Sequence, residues 1–191
     1  MKYFKKLVGD RIYLSPKGTS DEEIEKFTEW MNDMQTTDFI GKTRAIITIA
    51  GEKEWLENSA KSNEDRNFAI VELQEDKLIG TIGLTNFDWI DRSATLGIFI
   101  GEDSFRSNGY GKEAIDLLLE YGFKYLNLHT IKLDLIDVNE RAHKCYLKCG
   151  FKDTGCSREA IFINGKYYGK KHMDIIESEF KGDYIKNKNI K

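Results

Sequence analysis

Ile98-Phe99-Ile100-Gly101-Glu102-Asp103-Ser104-Phe105-Arg106-Ser107-Asn108-Gly109-Tyr110-Gly111-Lys112-Glu113-Ala114 is the stretch that decides the fold. β-Branched and aromatic residues close a strand at Ile100. A short loop follows, and Arg106-x-x-Gly109-x-Gly111 opens a helix. Glycines here let main-chain N–H groups approach a ligand with no Cβ in the way. The start of a helix adds roughly half a positive charge. Together these features make a seat for a diphosphate. Arg106 and Lys112 add formal charge beside it.

Three readings of the turn compete. A Walker loop needs Gly where Arg106 stands and Ser or Thr where Glu113 stands, so that reading fails. A dinucleotide fingerprint fits Gly109-x-Gly111-x-x-Ala114, with Asp134 further on. Its glycine turn, however, comes straight off the strand, and here about eight residues intervene with no second βαβ half. The third reading is a glycine-containing loop that binds nothing.

Working outward, Lys112 to Leu126 repeats apolar residues at helical spacing, with Ala114, Ile115, Leu118, Leu119, Gly122 and Phe123 on one broad face. Thr130 to Ile136 is the next strand. Asn139 caps a short helix from Glu140 to Lys148, and Gly150 stops it. Asn164-Gly165 joins two last strands, about 158–163 and 167–176, because both residues accept positive φ. Upstream, Phe68–Leu73, Leu78–Leu84 and Thr95–Ile100 read as strands, with Arg11–Leu14 as the first of all. Ser20-Asp21-Glu22-Glu23 starts a helix that buries Ile24, Phe27, Trp30 and Met31. A second helix, about Glu52 to Ala60, buries Trp55 and Leu56. The order predicts one α/β domain with a mixed sheet over residues 1–180, then a polar tail over 181–191 that frays.

The chain has 191 residues, 40% of them hydrophobic, which is enough for one real core. Its net charge of -3, with 32% charged residues of both signs, gives no basic field for nucleic acid. Met1 to Val8 lacks the apolar core of a signal peptide, and no run approaches the ~20 apolar residues that span a bilayer. The expectation is a cytoplasmic protein with no membrane partner and with Cys145, Cys149 and Cys156 reduced. Cys145, Cys149 and His143 lack the spacing of common zinc sites, so no metal is expected.

The motif at Arg106 does not stand alone. Arg106-x-x-Gly109-x-Gly111 resembles the acetyl-CoA signature of the GNAT acetyltransferase superfamily. Asn139-Glu-Arg-Ala142-His-Lys-Cys-Tyr146-Leu-Lys-Cys-Gly150-Phe151 is similar to that superfamily's second motif. The expected helix and strand separate the two. Leu96-Gly97, Arg158 and the Asn164-Gly165 hairpin look most like the branch of ribosomal-protein N-terminal (alanine) acetyltransferases. The resemblance implies an acyl-CoA N-acyltransferase fold, its mixed sheet splayed at the fourth strand and helices on both faces. It implies acetyl-CoA as co-substrate and direct transfer of the acetyl group to a primary amine. Protein N-termini, polyamines, aminoglycoside-like compounds and amino sugars are all candidate acceptors. A non-catalytic acyl-CoA sensor is the alternative, and a homodimer is possible because relatives often dimerise.

The same resemblance implies roles. Ile98, Phe99 and Ile100 pair through their backbones with the pantetheine arm, which Asn139 also contacts. Arg106, Ser107, Asn108, Gly109, Tyr110, Gly111 and Lys112 hold the diphosphate. Tyr146 protonates the leaving thiolate. An alkylammonium has a pKa near ~10.4 and must lose a proton before it attacks. Asp134 stands five residues before Asn139, where some relatives carry Glu, and is the candidate base, with Glu72 and Glu102 as weaker ones. Asp33, Asp38, Asp88 and Asp91 are candidates to attract the cation. Phe87, Trp89, Tyr167 and Tyr168 are candidates to wall its cleft.

Overall fold

The computed structural model describes residues 2–61 and 64–189. Eight strands make one sheet, β1 (Leu7–Val8), β2 (Ile12–Pro16), β3 (Arg66–Glu72), β4 (Leu78–Asp88), β5 (Ser93–Ile100), β6 (Thr130–Ile136), β7 (Lys152–Ile163) and β8 (Lys166–Ile176). Their order is β1-β2-β3-β4-β5-β6-β8-β7. Every neighbouring pair is antiparallel except β5 and β6. The short extra strand β1 makes the expected fourth strand the fifth.

Helices cover both faces. On one, α4 (Tyr110–Lys124) seats Ala114, Ile115, Leu118, Leu119 and Phe123 against Ile82, Leu84, Ile131 and Leu133. The apolar face read from spacing is the buried face. Beside it lies α5 (Glu140–Lys148), capped by Asn139, whose side chain accepts the Ala142 N–H at 3.1 Å. On the other face, α1 (Asp21–Asn32) and α3 (Ile49–Lys61) pack Ile24, Phe27, Trp30 and Leu56 over Tyr13, Ala69, Val71 and Leu78. Ser20 caps α1 as its sequence predicts. Trp55 does not enter the core; it is 49% exposed and lies under the Lys17 ammonium.

Between α1 and α3 the chain forms two elements that were not foreseen. Asp33 ends α1 and then starts a four-residue helix, α2 (Met34–Thr37), its carboxylate accepting from the Gln35 and Thr36 amides. A 3-10 turn, Asp38–Ile40, follows. Strand β7 begins at Lys152, six residues early, because two register shifts let a longer strand keep pairing with β8.

Over its described residues, 181–189, the tail expected to fray is docked instead. Ile185 is buried, and the buried Glu120 of α4 accepts the Tyr184 and Ile185 amides and the Lys188 ammonium. A polar composition hid one apolar anchor and a buried carboxylate waiting for it. Burial pushes the Glu120 carboxyl up, but Lys188 and the two amides outweigh it and hold it below its usual value. Such a group stabilises the fold fully above its unfolded pKa of about 4.5, and this contribution fades as pH falls through the lower folded value. Glu120→Ala is expected to lose about 2–4 kcal/mol at pH 7, checked by denaturant unfolding. Glu120→Gln is expected to flatten the loss of stability that the parent shows on acidification below about pH 4.5.

Candidate functional site

The site begins where the sheet opens. Strands β5 and β6 pair only over Ser93–Thr95 and Thr130–Lys132. Beyond that point β5 keeps its β4 partner, Ile98 against Ile82, Phe99 against Thr81 and Ile100 against Gly80. On its other edge, 96–100 have no strand beside them, so main-chain groups there are open to a ligand's amides.

The strand then delivers the chain to the turn. Ser107 has φ 61° and Gly109 φ 85°, and Gly109 caps α4. The first capping bond runs from the Glu113 N–H to the Gly109 carbonyl at 3.1 Å. The N–H groups of Tyr110, Gly111 and Lys112 therefore precede any intrahelical acceptor. Among the described residues no acceptor is found for those of Ser107, Asn108 and Gly109 either. Six consecutive bare amides at a helix start fit a diphosphate.

The two cations expected there are otherwise engaged. Arg106 donates to the Ile100 carbonyl at 2.9 Å, the Gly101 carbonyl at 3.1 Å and Thr36 Oγ1 at 2.7 Å, and pairs with Asp103. It braces the strand end against α2 rather than offering free charge. Lys112 pairs with Asp116 one turn on, at 2.5 Å. The cation that sequence reading missed is Arg11. It stacks on Tyr110 at 4.4 Å and donates to the Asn108 carbonyl at 3.0 Å, and it too is paired, with Glu113 at 3.0 Å.

Asp134 also departs from expectation. Its carboxylate meets His172 Nδ1 at 2.7 Å and Lys170 Nζ at 3.2 Å. Desolvation pushes its carboxyl up, but these two partners more than reverse that and hold it below the usual range. A carboxylate so engaged is a weaker proton acceptor than a free one. Tyr146 is buried, 9% exposed, with its ring edge-on to Phe151. Burial, helped by the Cys145 and Cys149 thiols, pushes its phenol up, so the hydroxyl keeps its proton at neutral pH.

A cleft of about 720 Å³ opens beside Asn139, lined by Phe39, the loop from Asp137 to Arg141, and Lys171. Phe39 and Asp137 were not singled out from sequence. No periodicity marks a residue in a 3-10 turn or a strand-to-helix loop. The acidic candidates fare differently. Asp33 is spent on capping α2, Asp38 accepts the Thr43 hydroxyl, and Asp88 folds back on the Ile90 and Asp91 amides. Phe87 and Trp89 stack on each other at 4.8 Å by the β4–β5 turn, and Tyr167 pairs with Phe162 beside the last hairpin. None of these aromatics lines the cleft. No cluster of metal-ligating side chains occurs among the described residues.

Comparison with known proteins agrees with this geometry. Residues 11–152 match the model of the acetyltransferase (GNAT) domain. A spermidine N(1)-acetyltransferase of Vibrio cholerae is 36% identical over 118 residues, covering 62% of this chain and 67% of the relative. The putative ribosomal N-acetyltransferase YdaF of Bacillus subtilis is 26% identical over 111 residues, covering 58% and 60%. The likeness is thus greater to the spermidine enzyme than to the ribosomal branch expected from sequence. The crystal structure of the Vibrio cholerae spermidine N-acetyltransferase in complex with CoA and spermine superposes with a TM-score of 0.80 at 26% identity, covering 88% of this chain and 97% of that one.

Gly109 tests the seat. Its backbone is left-handed, and an added Cβ would stand 3.1 Å from the Arg11 guanidinium. Gly109→Val is expected to weaken acetyl-CoA binding at least about ten-fold, measured by calorimetry.

Proposed function

Because the chain belongs to the GNAT acetyltransferase family and is an acetyl-CoA-dependent N-acetyltransferase, we propose that its acceptor is a small polyamine of the spermidine type. The observation that carries this reading is the likeness to spermidine acetyltransferases; the cleft beside Asn139 adds Phe39 with the acidic Asp137 and Glu140, and the basic Arg141 and Lys171 line it as well. An aliphatic polycation needs apolar wall and negative charge together.

Acetyl-CoA brings an activated acyl group on a thiolate, a leaving group of moderate basicity. Residues of this chain do the rest. The bare amides from Ser107 to Lys112 hold the diphosphate, with Arg11 beside them. The open edge of β5 at Ile98, Phe99 and Ile100 receives the pantetheine amides, and a main-chain N–H there stabilises the carbonyl oxygen as it gains charge. Asn139, already a helix cap, borders the arm. Tyr146, protonated at neutral pH, is the group that gives a proton to the departing sulfur. The attacking nitrogen gives its proton to water, since Asp134 is committed to His172 and Lys170. Transfer is direct, and it takes place in the cytoplasm, in an enzyme that associates with its own copies.

An acceptor panel read by mass spectrometry tests the substrate. Spermidine and spermine are expected to be acetylated faster than amino sugars or a peptide with a free N-terminus. Preference for the peptide would return the chain to the ribosomal branch. Tyr146→Phe is expected to lower kcat by ~10²–10⁴ with little change in KM. An unchanged kcat would remove Tyr146 from the mechanism.

A further inference from the structure

Strands β6, β8 and β7 bring Asp134, His172 and Ser157 together on one face of the sheet. Asp134 stands opposite His172, and Ser157 lies diagonally from His172, opposite Lys170. Asp134 Oδ1 is 2.7 Å from His172 Nδ1, and His172 Nε2 is 2.8 Å from Ser157 Oγ. Chemistry fixes the direction of these bonds. An ionised carboxylate can only accept, so Nδ1 of the neutral ring carries the proton. Nε2 keeps its lone pair, and the Ser157 hydroxyl donates to it. Lys170 Nζ, 3.2 Å from Asp134 Oδ2, holds the far side of the carboxylate. Solvent reaches the whole row: the Asp134 and His172 side chains are 47% and 33% exposed, and Ser157 is exposed.

A hydroxyl within about 2.6–3.2 Å of a base that a third group orients is the arrangement of serine nucleophiles, and it recurs on unrelated folds. Acetyl transfer from the coenzyme does not use it. The gap for the thioester lies on the β5 side of β6, whereas Nε2 faces the other way, towards β7. Strand β7 ends the sheet, so one row of its main-chain N–H groups has no strand beside it. After Ser157 the register shifts, Glu159 takes φ 51°, and a cavity of about 600 Å³ lined by Arg158 and Glu159 opens at the bulge.

We propose that Ser157, His172 and Asp134 form a second reactive centre, which cleaves short carboxylic esters through an acyl-serine intermediate. Ser157 Oγ attacks the ester carbonyl while His172 Nε2 takes its proton. N–H groups of the open β7 edge are the donors at hand for the oxyanion. The C–O bond to the alcohol breaks, and Nε2 returns the proton to the departing oxygen. Water, deprotonated by the same ring, then cleaves the acyl-serine bond, so ester and water become acid and alcohol. Asp134 is a positioning residue that holds the ring in one tautomer.

Full-length protein treated with a fluorophosphonate, which phosphonylates activated serine hydroxyls, tests this, with the adduct located by peptide mass spectrometry. Ser157 is expected to react at least about ten-fold faster than any other serine of the chain. His172→Gln and Asp134→Asn are expected to slow labelling of Ser157 at least about ten-fold, in variants that thermal unfolding shows to be folded. Hydrolysis of p-nitrophenyl acetate is expected to fall at least about ten-fold in Ser157→Ala, while acetylation of an amine from acetyl-CoA stays unchanged. If Ser157 of the parent protein labels no faster than other serines, the proposal is overturned without need of a variant. Labelling that His172→Gln leaves at the parent rate also overturns it, since Ser157 would then be only an exposed hydroxyl. So does ester hydrolysis that survives Ser157→Ala, which would trace to the neighbouring Cys156 or to amines of the chain.

Discussion

Everything at the site follows from the short pairing of β5 with β6. Three residues of each strand run side by side, and then the strands part. A sheet split in its middle is a costly place, since main-chain groups on the parted edge lose their partners. The fold tolerates the gap because β4 holds β5 from the other side along most of its length, and because α4 and α5 cover one face with a continuous core. The opening is therefore rigid. It can wait for a ligand that supplies amides of its own.

That rigidity also places the turn. Strand β5 ends at Ile100, and Arg106 returns to grip the Ile100 and Gly101 carbonyls and Thr36 of α2. One guanidinium thus ties the coenzyme loop to the helix just before the 3-10 turn that carries Phe39. Arg106 is thus engaged with the strand end and α2 at once. An anion arriving at this turn would meet mainly oriented N–H groups, which need no reorganisation to receive it.

Much of this was legible in advance, and the failures share a cause. The α4 face, the Asn139 cap, the Asn164-Gly165 hairpin and the strands around the gap each rest on a local rule, spacing or turn chemistry, that tertiary contacts reinforce. The partners of charged side chains rest on no such rule. Asp134 found His172 and Lys170 on β8, thirty-eight residues away for the histidine, and Glu120 found the docked tail. Asp137 was passed over because a lone aspartate between a strand and a helix looks like ordinary loop polarity.

The edge strand β1 is completed from the far end of the chain. Val8 donates to Asn187, 179 residues away, the Val8 carbonyl accepts the Lys186 amide, and Asn187 donates to the Lys5 and Lys6 carbonyls. During synthesis the first strand leaves the ribosome long before the segment that closes over it. Until that segment arrives, Glu120 lies without its ammonium and amide partners, in a core that is otherwise nearly assembled. Pairing of β1 with this segment waits until residue 187 has been made, and a molecule cut before Lys186 would hold its sheet with one margin open to pairing with a neighbour.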